Sequence, residues 1–159
     1  MATTLLLSGC MFALSPDDLY SLPKLPEEYV DLEQEIAALV DSGYEYAAPT
    51  GGENVQPVQM VDIDGDGEDE ALLFLRKSGE SKPLKIYIFT ATEDSYQKTE
   101  LIEGSGTGIY SIAYTDLDGD GRMELLVGWK ATTELQVLEV YALRPGGAAL
   151  LVRSDYVKY

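Results

Sequence analysis

Val61-Asp62-Ile63-Asp64-Gly65-Asp66-Gly67-Glu68-Asp69-Glu70-Ala71-Leu72-Leu73 returns 54 residues later as Thr115-Asp116-Leu117-Asp118-Gly119-Asp120-Gly121-Arg122-Met123-Glu124-Leu125-Leu126-Val127. In each copy, carboxylates alternate with glycines and then give way to an apolar run. An acidic turn therefore leads into a buried strand, twice.

The flanking sequence repeats as well. Val58–Val61, Ala71–Leu75, Leu84–Thr90 and Tyr96–Ile102 are short, β-branched or aromatic segments separated by Gly, Ser, Lys and Asp. Ser111–Thr115, Leu125–Trp129, Leu135–Leu143 and Ala149–Arg153 follow in the same order. Four strands per repeat of about 50 residues is the pattern of a β-propeller blade. The expected fold is mostly β: two four-stranded antiparallel blades, 55–107 and 108–159, forming a partial β-propeller. One amphipathic helix precedes them within 26–43. Pro26 opens it, Glu27 and Glu28 face its positive end, and Gly43 suits the left-handed position after it. Tyr29, Leu32, Ile36, Leu39 and Val40 form one stripe that would cap the sheets. Tyr44–Asn54 reads as loop. By the same period a third turn would begin near residue 170, so the second blade is expected to stop short of a third.

Composition narrows the chemistry. The chain has 28 acidic and 11 basic residues, a formal net charge of −17, and no histidine. Such a surface repels phosphate backbones, so nucleic acid is not an expected partner. The missing histidine rules out Ser-His-Asp and Cys-His catalysis and His-ligated zinc, while the single Cys10 rules out an intrachain disulfide. Carboxylates remain, and they favour hard cations.

Calcium takes six to eight oxygens at about 2.3–2.6 Å, and carboxylates on alternate residues of a tight turn converge on one point. Asp62, Asp64, Asp66 and Glu70 would supply side chains in the first turn, with the carbonyl of Glu68 between them. Asp116, Asp118, Asp120, Glu124 and the carbonyl of Arg122 would do so in the second. Two bound Ca²⁺ would offset four of the 17 net negative charges. Loop position twelve, the bidentate acid of an EF-hand, is Leu73 or Val127 here, and the flanks are strands.

The pattern Asp-x-Asp-Gly-Asp-Gly-x-x-Glu between strands resembles the FG-GAP/VCBS repeats of integrin-like β-propellers, over roughly residues 55–159. That resemblance implies such a turn joining the first two strands of each blade, and a surface role in binding proteins or glycans.

Leu7-Ser8-Gly9-Cys10 resembles a bacterial lipobox, which implies lipidation at Cys10. Residues 1–9 then read as a residual signal peptide and 10–25 as a tether. The departures are that no Lys or Arg precedes the apolar run and that only Ala2–Leu7 of it is present. A free cysteine near the terminus is the plain alternative. No other segment approaches the roughly 20 apolar residues of a membrane span. The expected location is extracytoplasmic, anchored by lipid to a bacterial cell membrane.

The resulting expectation is a calcium-binding, non-catalytic surface module for an extracellular protein or glycan ligand. Eleven Tyr and Trp129 are candidates for sugar stacking, against the plainer role of core packing. An accessory domain of an exported calcium-dependent carbohydrate-active enzyme and a purely structural scaffold are the alternatives. Asp94, Glu100, Glu103, Glu134 and Glu139 read as ordinary surface charges, leaving no spare acid–base pair. Two open-edged sheets would also invite self-association.

Overall fold

The structure, a computed structural model, describes residues 29–92, 95–144 and 147–157. Residues 1–28, including Cys10 and the expected helix start at Pro26, lie outside the described residues, as does Asp94.

One helix, α1 (Val30–Asp41), precedes nine strands. These are β1 (Glu45–Tyr46), β2 (Val58–Val61), β3 (Glu70–Arg76), β4 (Leu84–Ala91), β5 (Tyr96–Gly104), β6 (Gly108–Thr115), β7 (Glu124–Lys130), β8 (Leu135–Arg144) and β9 (Gly147–Val157). β2 to β5 form one antiparallel meander and β6 to β9 a second. The expected pair of four-stranded blades is therefore present. β7 repeats β3 at the 54-residue offset seen in the sequence.

β3 shows why the sheets stack as they do. Its sequence Glu-Ala-Leu-Leu-Phe-Leu-Arg is apolar at five successive positions, so both faces must be covered. Leu72 and Phe74 face the second sheet and meet Leu125, Val127 and Trp129 of β7 in a shared core. Ala71, Leu73 and Leu75 face the other way, against Leu32 and Ile36 of α1. Among the stripe residues Leu32 and Ile36 are buried, while Tyr29 and Leu39 pack at the margin. α1 thus caps the outer face of the first blade. It ends as expected, with Gly43 at φ +94° and Tyr44 donating to the Leu39 carbonyl at 3.3 Å. Among the described residues no helix is long and apolar enough to cross a membrane.

The reading of Tyr44–Asn54 as loop needs correction. Glu45 and Tyr46 pair with Arg76 and Leu75, so β1 extends the edge that β2 leaves unfilled on β3. The segment then crosses to the second sheet, where Thr50 and Gly51 donate to the carbonyls of Ile109 and Tyr110. Backbone hydrogen bonding, invisible in a Pro-Thr-Gly-Gly composition, makes it a strap between the blades.

Two further expectations fail for one reason: burial between the sheets. Trp129 is 2% exposed and lies against Gly104, whose absent Cβ would sit 2.4 Å from the indole, so Trp129 has no face free for a sugar. Glu139 is not a surface charge. It is 5% exposed and accepts from the Trp129 indole at 2.7 Å, from the Tyr141 hydroxyl, and from Arg153 directly across on β9. Burial, then the bond to Glu139, hold the Tyr141 phenol above its ordinary range, so it stays a donor. Glu103 pairs with Lys85, which is buried and also meets Glu80. Burial acts to lower the Lys85 pKa, but the two carboxylates outweigh it and raise the value. Glu100 accepts from Ala148 N–H at 3.0 Å across the blades, while Glu134 is exposed as expected.

Candidate metal centres

Each acidic turn folds around its first aspartate. Asp62 Oδ1 accepts from Gly65 N–H at 2.8 Å, and Oδ2 from Gly67 N–H at 3.1 Å. Asp116 does the same with Gly119 at 2.6 Å and Gly121 at 3.0 Å. Asp64 and Asp118 each accept from the N–H two residues on, as do Asp66 and Asp120. These Asx-type bonds satisfy the turn backbone and hold the carboxylates close despite their mutual repulsion.

The turns are closed from beyond by glutamates at the start of the following strands. Glu70 Oε2 accepts from Ile63 N–H at 2.9 Å, and Glu124 Oε2 accepts from Leu117 N–H at 2.8 Å. The first turn is pinned further by the Tyr96 hydroxyl, which donates to the Asp69 carbonyl at 3.1 Å.

Two triads result. Asp62, Asp64 and Glu70 bring one carboxylate oxygen each within 4.8 Å of one another, as do Asp116, Asp118 and Asp120. Asp66 stands outside the first group and Glu124 outside the second, so the copies differ in which expected side chain converges. Glu68 and Arg122 sit on the exposed turns, where their N–H groups donate to Asp66 and Asp120.

Glu70 carries the sharpest signal. It is 3% exposed, and its Oε1 is buried without a hydrogen-bond partner among the described residues. Burial raises its pKa. The Ile63 N–H opposes that rise, Asp64 and Asp66 add to it, and the Asp64 N–H opposes it again. An orphaned buried carboxylate oxygen beside two further carboxylates is a hard-oxygen donor set, and it fits a divalent cation that would supply the missing partner.

The turns also touch each other, which the sequence did not reveal. Met123 N–H donates to the Ile63 carbonyl at 2.7 Å, and Gly65 lies against Gly121. A Cβ at Gly65 would come within 2.4 Å of the Gly121 carbonyl oxygen, whereas one at Gly119 meets nothing within 4 Å. Both glycines have positive φ, +76° and +79°. Gly119→Ala should therefore cost only the left-handed conformation, about 1–2 kcal/mol. Gly65→Ala adds a backbone clash and should cost on the order of 3 kcal/mol or more. Urea midpoints compare the two, and coincident midpoints would mean the turns are not in contact.

The sequence model of the FG-GAP-like repeat family matches residues 62–127, from the first Asp of the first turn into β7 beyond the second. No curated protein and no solved structure matches the chain. The matched segment holds both turns, the 54-residue period and the strands between them, and over residues 62–127 the chain is similar to the FG-GAP-like repeat family.

Proposed function

We propose that the chain is a calcium-binding, non-catalytic binding module for an extracellular protein or glycan, holding one Ca²⁺ in each acidic turn. The observation that carries this reading is Glu70 Oε1, buried and unpartnered beside Asp62 and Asp64. Asp62, Asp64 and Glu70 would hold the first ion, and Asp116, Asp118 and Asp120 the second. Calcium accepts more oxygens than three side chains offer, which leaves room for backbone carbonyls or water. When bound it supplies a fixed positive centre. The chain's own residues do the rest, since the Asx-type bonds set the turn before any ion arrives.

The non-catalytic reading draws support from where the other carboxylates go. Glu103 is tied to Lys85, and Glu139 to Trp129, Tyr141 and Arg153. A location outside the cytosol and an anchor at Cys10 rest on Leu7-Ser8-Gly9-Cys10, and labelling with palmitate tests them.

Calorimetric titration tests the metal assignment. The protein should bind two calcium ions, and the double substitution Asp116→Ala with Asp118→Ala should leave one. Unchanged stoichiometry in that variant would remove the second site, and the absence of any binding heat would remove both.

A further inference from the structure

The first acidic turn opens onto a cleft of about 510 Å³ between the two sheets. That is sufficient for a small ligand. Its floor is apolar, formed by Ile63, Ile88 and Leu143. Asp64 and Glu70 line it as well, together with Thr90, Thr99, Glu100, Arg122 and Arg144.

The two arginines differ from the chain's other two in having no protein partner for their charge among the described residues. Of four arginines, Arg76 donates to the Thr107 carbonyl and Arg153 pairs with Glu139. Among the described residues Arg122 and Arg144 form no ion pair, in a chain with 28 acidic residues. Arg122 also inverts the charge of the repeat, since the matching position in the first turn is Glu68. The second turn leans on the first through the Met123–Ile63 bond, and so carries Arg122 to the cleft.

The polar rim is arranged for hydroxyl groups. Ile88 pairs with Glu100 and Phe89 with Lys98, so Thr99 is the extra residue of a β-bulge. Bulges re-aim side chains. Here Thr99 Oγ1 lies 3.0 Å from Thr90 Oγ1, giving two adjacent hydroxyls at the cleft. Glu100 Oε2 is occupied by Ala148 N–H, while Oε1 accepts no hydrogen bond among the described residues.

We propose that this cleft binds a uronic acid residue, its carboxylate held between Arg122 and Arg144 and its hydroxyls by Thr90, Thr99 and Glu100. Two arginines lining one cleft suit a carboxylate, and neighbouring hydroxyl and carboxylate acceptors suit a polyol. The assignment rests on the calcium reading of the first turn for an electrostatic reason. Asp62, Asp64, Asp66, Glu70 and Glu100 set five negative charges against the two arginines, which repels an anion. One divalent cation cuts that excess from three charges to one and so admits the ligand.

The experiment titrates D-galacturonate into the calcium-loaded protein by calorimetry, with D-galactose and N-acetylaspartate as controls. Galacturonate should bind at least about tenfold more tightly than either control, and chelating the calcium should abolish its binding. Arg144→Gln should weaken it by about ten- to a hundredfold, the range for losing a charge-assisted pair, with calcium binding unchanged. Equal affinity for galactose, tighter binding of N-acetylaspartate, or an unaffected Arg144→Gln variant would each overturn the assignment. A protein that binds calcium but not galacturonate overturns the cleft alone. One that binds no calcium overturns the cleft and the calcium reading together.

Discussion

Saturating calcium is expected to raise the Tm by on the order of 10–20 °C over the metal-free protein. A ligand that binds only the folded state stabilises it by about 2.7 kcal/mol at a hundred times its Kd, and two sites double that. At this chain length each kcal/mol moves the midpoint by about 2–4 °C. The effect should be large because the metal-free fold carries an unfavourable group. Glu70 has a buried oxygen without a partner and a carboxyl that burial pushes up in pKa. Calcium would remove that penalty as well as adding its own coordination. Magnesium, which demands a tighter octahedral shell, should give a smaller shift at equal concentration. Scanning calorimetry with calcium, magnesium and chelator decides it. A flat midpoint up to several millimolar calcium would leave the turns as metal-free structural acids.

The second large effect is expected at Glu139. Glu139→Ala should destabilise the protein by about 3–5 kcal/mol, because two buried donors lose their acceptor at once. The Trp129 indole N–H and the Tyr141 hydroxyl both end on Glu139 Oε2, and both residues are under a tenth exposed. Arg153 contributes less, since its side chain is 57% exposed and keeps its water. The informative control is Glu139→Gln, which retains an oxygen for the indole and phenol but replaces the ion pair by an amide donor facing Arg153, a side chain exposed enough to turn into water. It should cost about 1 kcal/mol. Equal losses in the two variants, measured by urea unfolding, would show that the charge matters and the buried hydrogen bonds do not.

The contrast between Glu139 and the acidic turns shows what was legible in the residues. A turn of alternating Asp and Gly is local: every hydrogen-bond partner of Asp62 or Asp116 lies within five residues, so spacing alone predicts the turn, though not which carboxylate joins its first two aspartates. Glu139 is set by Trp129 and Arg153 on neighbouring strands, and nothing in Leu-Glu-Val distinguishes a buried glutamate from a solvated one. The same limit hid β1, whose two residues are strand only because β2 leaves part of the β3 edge open. It also hid the cleft, where the arginines of the second sheet face Glu70, Thr90, Thr99 and Glu100 of the first.

Ile63 and Leu117 mark the boundary between the two kinds of information. They occupy the same position in copies 54 residues apart, each donating its N–H to the glutamate that closes its turn. Sequence alone determined that much: two acidic turns, two four-stranded sheets and a capping helix, because each follows from short-range spacing and alternation. Yet Ile63 is 1% exposed and Leu117 is 58% exposed. The first turn is covered by the second blade, which fills the space over Ile63, meets Gly65 and brings Arg122 to the cleft. Nothing among the described residues covers the second turn in the same way. Only tertiary packing could make equivalent residues inequivalent, since burial depends on which sheet lies opposite and not on the residue's own neighbours in the chain.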